Sequence, residues 1–193
     1  MRESSLYTFY SKGLGVALQS GEIKRSQYEL WHYEDSLQGK EVLLVQPHAF
    51  TGNRPMLTRM GKEIHYLIIP NFKSYFTIPI QLKYEKRISG QDNLLVETTI
   101  ENNRATPLLF TKNNTGNKPF LFFEIRKRGA VILKDTLKTF TEEEILPAGT
   151  TRTFITRLPT NKLSKGKYTL LAGFSNVPLH EAYNSKFYSL IID

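Results

Sequence analysis

The sequence predicts an α+β protein in which a small α/β N-terminal subdomain, residues 1–77, precedes an immunoglobulin-like antiparallel β-sandwich, residues 78–193. Three observations support this prediction. The hydrophobic fraction is 40% and the aromatic fraction 12%, which is enough for a sizeable core in 193 residues. One helix-like stretch stands among the short apolar runs of the first part. The second part consists of strand-like segments separated by turn residues.

The first part is predicted to contain one helix, residues 24–38. Ser26 is suited to cap its start, and Glu29 completes a capping box. Gly39 stands where a helix commonly ends in a left-handed residue. Short apolar segments around the helix are predicted strands, at residues 6–10, 16–18, 41–46 and 62–72. The order strand, helix, strand predicts an α/β layer with partly parallel pairing, in which residues 41–46 form a buried strand.

The second part is predicted to form seven strands, at residues 75–85, 94–102, 119–128, 130–135, 151–158, 167–175 and 186–193. Even-numbered residues from Leu94 to Ile100 should face the core, because side chains alternate along a strand. The segment LPAGTTRTF, residues 146–154, followed by LSKGKYTLLAGF, residues 163–174, is typical of strands E and F in immunoglobulin-like modules. The Cys and Trp residues that mark antibody domains are missing, so the prediction is a generic bacterial relative.

Composition excludes several classes of function. The chain has no cysteine, which excludes disulfides, thiolate metal sites and cysteine nucleophiles. The net charge of +8 comes without a basic helix or an aromatic RNA-binding signature, so nucleic acid is not a predicted partner. The surplus instead predicts a solvated basic surface near anionic lipid. No apolar run approaches the ~20 residues that span a bilayer, and none resembles a signal peptide, so the chain is expected to be soluble.

No constellation of residues predicts catalysis. Glu34 and Asp35 are neighbours, and neighbours on a helix point about 100° apart, so they cannot flank a scissile bond as a glycosidase pair does. The histidines lack the spacing of a metal site; they are His32, His48, His65 and His180. The GxSxG phrase of a serine hydrolase is absent. The sequence therefore predicts no catalytic residue, no metal and no cofactor, with a hydrolase site assembled from distant residues as a minor alternative.

Four short phrases occur in a characteristic order: Phe9-Tyr10-Ser11, Tyr28-Glu29-Leu30-Trp31, Gly39-Lys40-Glu41-Val42-Leu43 and Asn71-Phe72-Lys73-Ser74-Tyr75. This order, followed by a β-sandwich, resembles the soluble C-terminal periplasmic region of Bacteroidetes membrane glycosyltransferases. The glycosyltransferases are those of the dolichyl-phosphate-mannose-protein mannosyltransferase and aminoarabinose transferase type. The resemblance extends over residues 5–85.

The resemblance implies a specific role. Members of the family transfer a sugar from a polyprenyl-phosphate donor, and their catalytic acidic residues lie on loops between membrane helices. This chain contains no such helices, so it departs from the family in lacking the catalytic apparatus. The resemblance therefore implies a non-catalytic periplasmic accessory domain, tethered to the inner membrane. Its partner would be the membrane-embedded catalytic portion of the same polypeptide, with glycan or lipid headgroups as further candidates.

Exposed aromatic residues would be the sugar platform of such a domain, since a ring stacks on the apolar face of a pyranose. The residues predicted to bind glycan are Trp31, His32, Tyr33 and Tyr75, with Trp31 otherwise part of the core. The alternative function is a free-standing secreted immunoglobulin-like module that binds protein or glycan, with an edge strand of the sandwich open to a partner.

Overall fold

The computed structural model describes residues 36–46, 54–57, 61, 63–75, 77–89, 93–111, 118–141, 144–175 and 182–193. These residues form fourteen β-strands and no helix. The strands are β1 (Val42–Gln46), β2 (Arg54–Leu57), β3 (Glu63–Ile69), β4 (Ile80–Tyr84), β5 (Arg87–Ile88), β6 (Asn93–Glu101), β7 (Leu108–Leu109), β8 (Phe120–Lys127), β9 (Ala130–Thr139), β10 (Ile145–Leu146), β11 (Thr151–Pro159), β12 (Gly166–Ser175), β13 (Ala182–Tyr183) and β14 (Tyr188–Ile192).

Two sheets build an immunoglobulin-like sandwich, as the sequence predicts. One has the order β11–β6–β4 and is antiparallel throughout. The other has the order β5–β14–β12–β8–β9, with β13 also paired to β12. Its one parallel pair is β5 with β14. Because β4 belongs to one sheet and β5 to the other, the chain crosses from one sheet to the other between these two strands.

The core of the sandwich lies between the two sheets and is filled by alternate residues of both. From Leu94 to Ile100 the even-numbered side chains of β6 are buried, which confirms the predicted alternation. Aromatic rings fill the centre: Phe110 stacks on Phe140 with ring centroids 3.8 Å apart, and Phe174 lies 6.0 Å from Phe140. All three phenylalanines are buried, so packing between aromatic rings stabilises this part of the core.

Strands E and F lie where the sequence places them, as β11 and β12. The hydroxyl of Tyr168 donates a hydrogen bond of 2.6 Å to the carbonyl of Ser164. This is the tyrosine corner that immunoglobulin-like domains form at the start of strand F. Leu170 occupies the position of the usual strand F cysteine and is fully buried. The sandwich therefore keeps the corner and has apolar packing in place of the disulfide.

The first part of the chain differs from the prediction. Strands β1, β3 and β2 form a sheet in the order β1–β3–β2, here called the small sheet, and both pairs are antiparallel rather than partly parallel. A parallel pair needs a crossover of about a dozen residues, usually a helix. The chain between β1 and β3 instead contributes β2, which the sequence analysis missed because the strand is short and contains Pro55.

The predicted α/β layer is not seen in the described residues. The predicted strands at residues 6–10 and 16–18 lie outside them, as does the predicted helix up to residue 35. Residues 37–39 form a turn, and Gly39 has a φ of 74°, the left-handed conformation predicted for that position. Tyr75, which precedes the predicted domain boundary at residue 77, already belongs to the core of the sandwich.

Thr98 gives a direct test of the sandwich core. Its side chain is fully buried on β6, and within the described part of the chain its hydroxyl has no hydrogen-bond partner. Thr98→Val keeps the shape and removes the unpaired hydroxyl, so it is expected to raise the free energy of unfolding by about 1 kcal/mol. Urea denaturation measures the change. Thr99→Val is the matched control, because the Thr99 hydroxyl lies on the exposed side and pairs with Thr153 at 3.0 Å; a loss of stability in Thr98→Val would contradict the assignment.

Candidate functional site

The residues predicted to bind glycan do not form a described site. Trp31, His32 and Tyr33 lie outside the described residues. Tyr75 is only 2% exposed and stacks on Phe110 and Phe174, with ring centroids 5.9 and 5.2 Å away. Its hydroxyl donates to the carbonyl of Leu109 at 2.7 Å, and burial raises the pKa of this hydroxyl. A ring enclosed in this way cannot stack on a sugar, so Tyr75 is a core residue and not a platform.

Two of the phrases that carry the family resemblance meet at the junction between the small sheet and the sandwich. The N–H of Gly39 donates to the carbonyl of Phe72 at 2.8 Å, and the N–H of Phe72 donates to the carbonyl of Lys40 at 2.8 Å. The Phe72 ring is fully buried against Leu44 and Ile69. The two phrases therefore pair with each other through backbone hydrogen bonds at the junction.

Lys73 and Ser74, which follow Phe72 in the phrase Asn71-Phe72-Lys73-Ser74-Tyr75, lie between the small sheet and the sandwich. The side-chain amide of Gln38 accepts from the N–H of Ser74 and donates to its carbonyl, both at 3.1 Å. Arg104, which follows β6, donates to the same carbonyl at 2.7 Å. Lys73 donates to the hydroxyl of Thr111, and burial lowers the pKa of Lys73. The bonds of Arg104 and Lys73 therefore link the segment that follows β3 to the sandwich.

The small sheet has one apolar side that no described residue covers. Antiparallel partners point to the same side of a sheet, and the apolar pairs on this side are Leu43 with Ile68, Val45 with Tyr66, and Met56 with Ile64. The exposed Arg54 of β2 lies at the margin of the same side, opposite Tyr66. We call the six residues of the apolar pairs the apolar face. Four of them are between 48% and 58% exposed: Leu43, Val45, Met56 and Ile68. Monomeric soluble proteins rarely expose a large contiguous apolar patch, so the apolar face is a candidate docking surface.

The apolar face corrects the interpretation of residues 41–46 as a buried strand. Leu44 is buried on the side that packs against Phe72, whereas Leu43 and Val45 point to the other side and are about half exposed. Both sides of β1 are apolar in sequence, which is typical of a strand covered on two sides. The described residues provide one of these covers.

A second cluster lies on the outer side of the larger sandwich sheet, around Glu124 of β8. This carboxylate is 2% exposed. Arg126 donates to Oε2 through Nε at 2.9 Å and Nη2 at 2.6 Å. Lys134 of β9 and the hydroxyl of Tyr183 reach Oε1 at 3.2 and 3.0 Å. Each cation also lies over a ring, Arg126 over Tyr183 at 4.9 Å and Lys134 over Phe122 at 4.6 Å.

The electrostatics of this cluster follow from its contacts. Burial by itself would raise the pKa of Glu124, but hydrogen bonds from Arg126, Lys134 and Tyr183 outweigh burial and hold that pKa below its ordinary value. Burial and the neighbouring carboxylate raise the pKa of Tyr183. Both carboxylate oxygens receive two donors each, so the geometry describes an ion-pair network that ties β8, β9 and β13 together.

Two further classes of site are absent from the described residues. Among them, no group of three His, Asp or Glu side chains lies close enough together to hold a metal ion. In the same residues, no helix is long and apolar enough to cross a membrane.

No protein-family model and no curated protein sequence matches the chain. Among solved structures, the CARDB domain of a Pyrococcus furiosus protein, in complex with di-metal ions, is similar over 60% of this chain and 87% of that domain. The identity is 11% and the TM-score 0.39. The solution structure of the same domain aligns over 60% of this chain and 94% of that domain, with 11% identity and a TM-score of 0.38.

A β-glucosidase from Listeria innocua, in complex with glucose, is similar over 76% of this chain, with 18% identity and a TM-score of 0.37. A β-glucosidase from Erythrobacter marinus is similar over 60% of this chain, with 15% identity and a TM-score of 0.37. The alignments cover 21% and 15% of these two enzymes. The similarity to all of these proteins is distant.

Proposed function

We propose that this chain is a non-catalytic periplasmic accessory domain of a polyprenyl-phosphate-sugar-dependent membrane glycosyltransferase. In this proposal the domain lies over the membrane-embedded catalytic portion of the same polypeptide and helps to position the acceptor or glycan. The apolar face of the small sheet is the surface that docks on that portion. The basic surplus of the chain, +8 overall, attracts anionic headgroups or a phosphorylated glycan without specific contacts.

The observation that best supports this proposal is the exposure of the apolar face beside a hydrogen-bonded junction. The four most exposed residues of the face lie on all three strands of the small sheet. Gln38 bonds to Ser74, and Arg104 links the same residue to the sandwich. A small apolar surface of this kind suits docking on a larger partner, where its burial contributes about 25 cal/mol per Å².

The proposal predicts a loss of activity when charge is placed on the apolar face. In the full-length glycosyltransferase, Met56→Lys/Ile68→Lys is expected to lower sugar transfer about tenfold or more, because two ammonium groups would be desolvated at the docked surface. Both side chains are about half exposed, so the domain itself should keep its stability. Transfer from the lipid-linked donor in membranes measures the effect.

The matched control places the same charges on the sandwich. Leu95 and Ile155 are 54% and 73% exposed, so Leu95→Lys/Ile155→Lys should leave transfer unchanged. Equal losses in both variants, or none in the first, would contradict docking through the apolar face. Turnover of a lipid-linked sugar by the isolated chain would contradict the non-catalytic assignment.

The alternative function is a free-standing secreted binding module, and the sequence of the full gene distinguishes it from the accessory domain. Membrane helices encoded upstream in the same reading frame support the accessory domain and remove the alternative, whereas their absence would remove the accessory domain. On the larger sandwich sheet, the edges that such a module would offer are short or irregular. The edge strand β5 has two residues, and β9 carries two register shifts of the β-bulge type.

A further inference from the structure

The small sheet has an edge that differs from the other edges in the described structure. Strand β1 is at the end of the order β1–β3–β2 and pairs with β3 along its whole length. Its sequence, VLLVQ, contains no charge and no proline. Among the described residues, no further strand pairs with β1 on its outer side. Natural edge strands are usually protected against pairing with another chain, so an apolar and regular edge such as β1 is a candidate for pairing with a further strand.

Four other edges carry a protecting feature, and on β11 it is the charge of Arg152 and Arg157. On β2 this is Pro55, which has no N–H to donate. On β9 the N–H of Thr136 is already bound by the carboxylate of Asp135 at 2.7 Å, next to the register shifts. On β4 the N–H of Leu82 donates to the hydroxyl of Tyr188 at 3.1 Å. The lack of protection on β1 is therefore a local property and not a general looseness of the fold.

The sequence of β1 is complementary to itself. When two copies pair antiparallel around Leu44, Leu43 of one copy lies opposite Val45 of the other. Leu43 and Val45 are two residues apart, so both point to the same side of the strand, and the apolar sides of the two copies coincide. Both apolar faces join into one continuous surface across a six-stranded sheet, and no like charges meet between the paired strands.

We propose that β1 is a strand-addition edge whose partner is β1 of a second copy, paired antiparallel about a two-fold axis. This interface uses the backbone edge of β1, whereas the docking proposed above uses the side chains of the apolar face, so the two contacts use different groups. Five residues of pairing bury far less than the ~800 Å² per partner of a standard interface, so the dimer is weak. Each copy carries a net charge of +8, so the dimer strengthens as salt screens the repulsion.

The absence of cysteine in this chain provides a clean test. In Leu43→Cys/Val45→Cys, each new thiol faces a thiol of the second copy. Directly paired residues of antiparallel strands have Cα atoms about 4.5–5.5 Å apart, which a disulfide spans. Mild oxidation at high protein concentration is expected to give a covalent dimer with at least about tenfold higher yield than the control. The control is Thr153→Cys/Ile155→Cys, a pair with the same spacing on the exposed side of β11.

Sedimentation equilibrium of the unmodified chain provides the second measurement. The average mass should rise with concentration and rise further when salt is added, and Leu43→Lys should abolish both changes while the circular dichroism spectrum is preserved. Equal cross-linking in the test and control variants would overturn the proposal, since it would reflect random collision. A monomer at every concentration and salt level, or an association that weakens with salt, would also overturn it.

Discussion

Glu124→Gln is expected to lower the free energy of unfolding by about 3 kcal/mol, because removing one member of a buried ion pair leaves its partners uncompensated. The carboxylate is 2% exposed and receives four donors, from Arg126, Lys134 and Tyr183. The amide keeps the shape, but it replaces one accepting oxygen with an NH₂ group that faces cations. Urea denaturation monitored by circular dichroism measures the loss.

A triple variant tests whether the loss of stability in Glu124→Gln comes from leaving the buried cations without their partner. Glu124→Leu/Arg126→Leu/Lys134→Met removes all three charges, and replacement of a buried ion network by apolar residues is often neutral or stabilising. We expect this variant to recover most of the stability that Glu124→Gln loses. A change in Glu124→Gln within about 0.5 kcal/mol of zero, the range of ordinary surface substitutions, would contradict the buried network.

The same network predicts the sign of a pH effect. The pKa of Glu124 is lower in the folded chain than in the unfolded chain, so the unfolded chain binds more protons in that window. Its contribution to stability is therefore present above the ordinary glutamate pKa and is lost as the pH falls through the lowered folded-state value. The raised pKa of Tyr183 keeps its hydroxyl protonated in that window, so Glu124→Gln should flatten the acid limb of the stability curve. An unchanged acid limb would be evidence against this cause.

The second large effect is expected at Tyr75. Its ring is enclosed by Phe110 and Phe174, so Tyr75→Ala is expected to lower the free energy of unfolding by about 4 kcal/mol. Tyr75→Phe removes only the hydrogen bond to the carbonyl of Leu109 and should cost about 1 kcal/mol. Chemical denaturation of both variants measures the difference. Had the ring been an exposed sugar platform, both substitutions would leave stability nearly unchanged, and that result would refute the assignment to the core.

The sandwich could be predicted from sequence because its signals are local. The alternation from Leu94 to Ile100 indicates which side of β6 is buried. The segment that precedes Tyr168 is typical of the start of strand F, where the tyrosine corner forms. Strand β2 could not be predicted in this way. It has only four residues, and one of them is Pro55, which argues against a strand. Without β2, antiparallel pairing of the small sheet could not be foreseen.

The placement of Tyr75 and Glu124 depends on residues far away in sequence. Tyr75 sits in a polar segment, KSYFT, and the rings that enclose it belong to other strands and loops of the sandwich. One local signal was available for the cluster: Glu124 and Arg126 are two residues apart on one strand, so they share a side of the sheet. Nothing local indicates Tyr183, which comes from β13.

The measurement that tests the central claim most directly is site-specific photo-crosslinking in membranes. The full-length protein would carry p-benzoylphenylalanine in place of Ile68 on the apolar face, or in place of Ile155 on the sandwich as control. Docking through the apolar face predicts that position 68 cross-links to the membrane-embedded portion of the same polypeptide and that position 155 does not. Cross-links of equal yield from both positions, or no cross-link from position 68, would contradict it.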